Sequence, residues 1–233
     1  MTGFQRARSH EQQEERRRTI LDTTAGMLAR MPAAKVGLNE LSRQAGMAKS
    51  NVLRYFESRE AILLELLDRA WSEWNSALPA LLDAAIDPAD PVARRAEVYA
   101  QVYAASLADR KVLCDLFSAQ AGVLEHNVSP DVAARYKRAA AVNLTALTAL
   151  TRHHLPELGD TAQQACAQIL MATGAIWTHS RPSPAMLEAY AKDPALAALS
   201  MDFASALQET VATLIAGTLS RAEPRDQPIG PER

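Results

Sequence analysis

Aromatic residues make up only 5% of this 233-residue chain, and cysteine occurs twice, at Cys114 and Cys166. The two cysteines are far apart, each inside an apolar helical pattern, and form neither a metal-ligand spacing nor a disulfide framework. The expectation is two buried thiols in a reducing cytoplasm. Strand signals are nearly absent, which excludes a β architecture. No apolar run has the length of a membrane span, and the opening MTGFQRARSHEQQEERRR lacks the apolar core of an export signal. A glycine-rich phosphate loop, a nucleophile elbow and a paired-carboxylate motif are also missing. These absences point away from an enzyme, and no cofactor or metal is expected.

What is present favours helix. Alanine and leucine are abundant, and 48% of residues are hydrophobic, enough to bury a sizeable core. Net charge is −2, but it is uneven: residues 1–60 hold eleven Lys/Arg against seven Asp/Glu. A basic front on an acidic body fits a chain that meets nucleic acid by one end only.

That front contains LNELSRQAGMAKSNVLRYFESRE, residues 38–60. Leu38, Leu41 and Ala45 make one apolar face of a short helix, and Gly46 ends it because glycine enters the left-handed region freely. A second helix over residues 48–56 turns Val52 and Phe56 inward, with Leu53 and Ala48 beside them. Lys49, Ser50, Asn51, Arg54 and Tyr55 remain outside. Asn and Arg each offer two hydrogen bonds to a base edge, and Lys49 and Tyr55 suit phosphate oxygens. Ser58 reads as the N-cap of a third helix, whose free N–H groups, with Arg59, suit a phosphate.

The stretch AGMAKSNVLRYFESREAIL, within a match running from about Arg17 to Leu67, resembles the TetR family of transcriptional regulators. The resemblance implies a homodimer with N-terminal DNA-binding domains and C-terminal ligand-binding domains. It also implies that a small molecule releases the protein from a pseudo-palindromic operator, most often as a repressor. By position, Lys49, Ser50, Asn51 and Arg54 would face the major groove. Tyr55 stands where the family often has a phosphate-contacting histidine, and Arg59 where it has a lysine. Two positions depart from the pattern: Leu53 replaces a phosphate-contacting tyrosine, and Gly37 replaces a capping threonine.

The expected organisation is all-α: a flexible arm at 1–13, a helix–turn–helix domain at 14–60, a helical ligand-binding and dimerisation domain at 61–222, and a disordered tail at 223–233. Ser129-Pro130 marks one helix start, Asp160 is read as the cap of another, and Pro194 as the opening of the last. In that last helix Leu199, Phe203, Leu207, Val211 and Ile215 recur every four residues. The wide apolar faces of the last two long helices predict a four-helix dimer interface. Trp71, Trp74, Tyr103, Phe117 and Trp177, with Asn143 and Thr173, are the candidate ligand contacts. The competing enzyme reading rests on His153, His154 and Glu157; Pro156 ends the helix between them and spoils the ligand geometry. A dimeric adaptor without DNA binding is the third reading, and Leu53 is its support.

Overall fold

Helix follows from this composition almost throughout. The computed structural model describes residues 2–222, with side chains from 11 to 221, and contains no strand among them. Helix α1 is Thr2–Leu28, α2 Leu38–Gln44, α3 Lys49–Tyr55 and α4 Arg59–Ala85. The body adds α5 Val92–Ala108, α6 Lys111–Ala119, α7 Pro130–His154 and α8 Ala162–His179, then α9 Pro184–Lys192, α10 Pro194–Ala197 and α11 Phe203–Ala222. No described helix is long and apolar enough to cross a membrane.

The first three helices build the small unit that positions the recognition surface. Ile20 and Met27 of α1, Leu41 of α2 and Val52 of α3 are all fully buried. Gly46 sits in the α2–α3 turn at φ 65°, a left-handed conformation that only glycine takes without strain. Gly37 is the N-cap of α2 and supplies no side-chain cap, so glycine in place of threonine does remove a polar group there. Ser58 caps α4 as its sequence predicts, accepting from the Ala61 N–H at 3.1 Å. Helix α4 then runs unbroken through Pro79, whose missing N–H leaves the Asn75 carbonyl without its usual intrahelical donor.

Helix α4 joins the unit to the body, packing on α1 and on α5, α6 and α7. The body core is aromatic at its centre. Trp74 meets Tyr103 edge-on at 5.2 Å and donates its indole N–H to Ser106 Oγ at 2.9 Å. Tyr99 and Thr151 share a hydrogen bond of 2.7 Å, and Tyr103 and Thr173 a longer one of 3.4 Å. Both cysteines are buried here, and burial raises both thiols, Cys114 to about 12. They are therefore protonated and unreactive in the fold.

Several boundaries differ from the sequence reading. The stretch expected as a flexible arm is helical from Thr2 onward: Glu, Gln and Arg dominate residues 11–18, and all favour helix. Asp160 does not cap α8. A 3-10 turn, Pro156–Thr161, precedes that helix, Thr161 takes the cap position, and Asp160 faces Arg152 at 3.4 Å instead. Pro194 opens only the one-turn α10. Helix α11 begins afresh at Phe203, where Asp202 accepts from both the N–H and the hydroxyl of Ser205, at 2.9 and 2.7 Å. Leu199, before that start, is 70% exposed, whereas Phe203, Leu207, Val211 and Ile215 are buried within the chain, where α11 packs on α5 and α8. The apolar stripe of α11 is thus consumed by the subunit's own core. The faces left open carry Gln164, the 69%-exposed Met171 and Ala175 on α8, and the small or polar Thr213 and Gly217 on α11. The tail expected to be disordered, 223–233, lies outside the described residues.

Candidate nucleic-acid interface and ligand cavity

Helix α3 is amphipathic because its apolar residues lie four apart. Val52 and Phe56 anchor it, and the other side is open: Lys49, Ser50, Asn51 and Arg54 are all exposed. Neither Lys49 nor Arg54 has an ion-pair partner among the described residues, whereas Arg43 on α2 is taken up by Glu40. That pairing, with a further hydrogen bond from Gln44, holds the Glu40 carboxyl at about 2. The recognition helix thus carries two cations free to meet a polyanion, with Arg16, Arg18, Arg30 and Lys35 of the same unit also exposed and outside any ion pair among the described residues. Leu53, expected inward, is 40% exposed, and Ala48 is exposed too. One residue on from Val52 is a rotation of about 100°, which carries Leu53 off the buried stripe.

The expected backbone-holding residues divide. Tyr55 is half-buried, and its carbonyl accepts from Arg17 Nη1 at 2.7 Å. Arg17 also stacks on the Phe56 ring at 4.4 Å and pairs with Glu65, so one α1 side chain fixes the end of α3. Ser58 is occupied as a cap acceptor but keeps its hydroxyl proton to donate. Arg59 is not a free clamp: its guanidinium donates to the Val36 carbonyl at 3.2 Å and lies 3.1 Å from Glu60. It bridges the start of α4 to the segment entering α2.

Two carboxylates tie this unit to the body. Asp115 of α6 accepts from the Ala33 N–H at 2.5 Å, and Glu57, just after α3, accepts from the Ser129 N–H at the head of α7 at 2.6 Å. The Ser129 amide and hydroxyl hold the Glu57 carboxyl below the usual glutamate range.

A cavity of about 630 Å³ opens between α4, α6, α7 and α8. Trp71 and Phe117, packed edge-on at 5.2 Å, form one wall. Tyr136, Lys137 and Leu144 of α7 and Leu170, Met171 and Gly174 of α8 form others, and a π-helical turn, Gln120–Leu124, borders it. Gly174 lets α8 approach α6 closely: a Cβ there would stand 3.0 Å from the Phe117 carbonyl oxygen. Of the seven expected ligand contacts, Trp71 and Phe117 line this cavity. Trp74, Tyr103 and Thr173 instead pair with core partners. The Asn143 side chain donates to Asp68 at 2.8 Å and accepts from Asn75 at 3.3 Å. Trp177 lies at a separate small cleft, packed on Phe203 and Arg181. Tyr136 is absent from the expected set because it lies away from the aromatic cluster in sequence; its place on the Val132–Tyr136–Asn143 face of α7 is the signal that could have found it.

Around His153 and His154 the structure differs from the enzyme pattern. Glu157 is held by Arg95, which also donates to the His154 carbonyl. Asp83, from α4, comes to within 3.4 Å of His154 Nε2. Burial, with His153 second, lowers the His154 pKa, and the Arg95 charge opposes a cation there.

Two family models match the chain. One, described as "Bacterial regulatory proteins, tetR family", covers residues 20–66, and the other, "Tetracyclin repressor-like, C-terminal domain", covers 68–222. The HTH-type transcriptional regulator EthR of Mycobacterium tuberculosis is 35% identical over 77 residues, 33% of this chain and 34% of EthR, so the match spans about a third of that relative. Among solved structures, a candidate transcriptional regulator from Pseudomonas aeruginosa PAO1 aligns over 92% of this chain and 95% of its own, at a TM-score of 0.54 and 15% identity. The fatty acid degradation regulator FadR from Bacillus halodurans aligns over 85% and 97%, at 0.51 and 14%. Both likenesses concern the fold alone.

Proposed function

We propose that this chain, which belongs to the tetR family of bacterial regulatory proteins, is a ligand-responsive transcriptional regulator, a repressor that binds operator DNA as a homodimer. The observation that carries the reading is the open face of α3, where Lys49, Ser50, Asn51 and Arg54 stand exposed on a helix pinned by Val52 and Phe56. In this reading Asn51 and Arg54 make paired hydrogen bonds to base edges and Lys49 meets a phosphate. Leu53 beside them has no polar group to offer the backbone, and its exposed methyls suit a thymine methyl or a sugar. Ser58 and Tyr55, with the free N–H groups at the start of α4, serve the phosphates. Arg59 acts by holding α4 to the α2 entry rather than by direct contact. A DNA partner places the chain in the cytoplasm.

Two copies would meet through the open faces of α8 and α11, where exposed Met171 supplies an apolar side chain among small and polar neighbours. The cavity bounded by Trp71, Phe117 and Tyr136 is the effector site in this reading, and its effector would favour the conformation that binds DNA less well. The Asp115–Ala33 and Glu57–Ser129 tethers lead from the cavity's helices α6 and α7 to the DNA-reading unit. Selection of bound duplexes from a random pool tests the proposal. The expected product is an inverted repeat whose half-sites are about 10 base pairs apart or a multiple of that. Failure to enrich any sequence would contradict it and favour the adaptor reading.

A further inference from the structure

Two buried polar groups without a hydrogen-bond partner belong to residues of the cavity wall. Trp71 and Tyr136 are 5% and 4% exposed, and neither the indole N–H of the first nor the hydroxyl of the second has a hydrogen-bond partner among the described residues. The polar atoms of Trp74, Tyr99 and Tyr103, buried elsewhere in the body, are all paired. The Trp177 indole N–H, the Asn75 amide oxygen and His154 Nε2 likewise lack a hydrogen bond, away from this cavity. A buried donor without an acceptor costs the fold free energy, so two at one cavity are a liability unless something entering it accepts from them.

The donors of the other polar side chains of the wall already have partners. Ser118 donates to the Asp115 carbonyl at 2.8 Å, and Gln120 donates to Glu125 at 2.9 Å. Lys137, the one cation lining the cavity, is neutralised by Glu125 at 2.7 Å. Burial, then the nearby Glu125 and Asp68 carboxylates, raise the Tyr136 hydroxyl well above its ordinary range, so it stays protonated and able to donate. A carboxylate ligand would meet those two negative charges with no free cation to offset them. The Trp71 indole N–H can only donate, so an ammonium ligand, itself only a donor, would leave it unpaired. The remaining surface is apolar, from Phe117, Leu144, Leu170 and Met171.

We propose that the effector is an uncharged, largely apolar molecule carrying a carbonyl group (a ketone, ester, lactone or amide) whose oxygen accepts from the Trp71 indole N–H and the Tyr136 hydroxyl. The inference rests on the cavity being the effector site. Tyr136 also lines a second cleft, with Arg17, Tyr55 and Glu57, between α7 and the DNA-reading unit. An acceptor that draws on Tyr136 therefore acts at the seam the regulator must move.

Calorimetric titration of the full chain with 2-decanone, decanoate and decylammonium, each below its self-association limit, tests the proposal. The ketone is expected to bind at least about 10-fold more tightly than either ion. Tyr136→Phe and Trp71→Phe should each weaken the ketone by about 3- to 10-fold, one hydrogen bond's worth, and leave the ions unchanged. Tyr136→Phe should melt at or above the parent temperature without ligand, because the lost hydroxyl had no partner. Leu170→Trp, which fills the cavity, should abolish ketone binding. Equal or tighter binding of an ion overturns the carbonyl assignment while the cavity reading stands. Unchanged ketone affinity in both phenylalanine variants overturns the assigned donors. Binding that survives Leu170→Trp, or no binding of any probe, overturns the cavity reading and the inference with it.

Discussion

Single residues carry much of this architecture, and their roles depend on what stands within a few ångströms. Gly174 shows how. Alanine is the better helix former by about 1 kcal/mol, so Gly174→Ala would stabilise an isolated α8. In the fold its Cβ would meet the Phe117 carbonyl oxygen at 3.0 Å and the Ser118 nitrogen at 3.2 Å, both backbone atoms that cannot swing away. Overpacking of this kind costs about 1–3 kcal/mol, and Gly174→Ala is expected to lower the melting temperature by forcing α6 and α8 apart. Gly26→Ala in α1, with nothing within 4 Å of its added carbon, is the control and should raise it. A stabilising Gly174→Ala would show that α6 yields easily. Other residues are legible from their sequence neighbours alone. Ser58 and Ser129 both cap the helices their sequence context assigns, at 3.1 and 3.3 Å. Leu53 is not, because an apolar residue next to Val52 reads as core until the helix register is fixed by Phe56 four positions on.

At the level of elements, the helices follow from composition, whereas several ends depend on contacts that span the fold. The cap at Asp202 has a local signal, Asp followed by Ser205 three residues later, but the proline at 194 is a louder one. The ties made by Arg95 to His154 and Glu157 join residues 59 and 62 positions apart, and no local pattern announces them. The same holds for the link from Glu57 to α7. Glu57→Ala should expose the Ser129 amide to faster hydrogen exchange while the Ala33 amide, held by Asp115, keeps its protection; unchanged exchange at Ser129 would remove this link from the account. The sign of its pH dependence is set by the depressed carboxyl. The link is complete above the ordinary glutamate value of 4.5 and is lost as pH falls through the lower folded value, so it contributes no pH dependence between about 6 and 8.

For the whole molecule, the two-part plan is readable because a basic, polar helix in a helix–turn–helix spacing is unusual in a chain of net charge −2. The cavity is only half readable. Trp71 and Phe117 stand out as aromatics on apolar helix faces, but the same criterion also picks out Trp74 and Tyr103, whose polar atoms are satisfied inside the core. All four are buried, and sequence carries no trace of which buried residues border a cavity or which buried polar atoms lack partners. The dimer expectation shifts for a related reason. A wide apolar face on α11 reads as surplus, yet α5 and α8 absorb it within one chain.

The central claim is that the open face of α3 reads DNA, and Arg54→Ala on the selected duplex is its most direct test. Binding measured against that duplex and its single-base variants should weaken by about 1–3 kcal/mol and lose discrimination at one position of each half-site, with the slope of affinity against salt changed by at most about one phosphate's worth. Unaltered affinity and unaltered discrimination in Arg54→Ala would mean that the recognition surface lies elsewhere on the molecule.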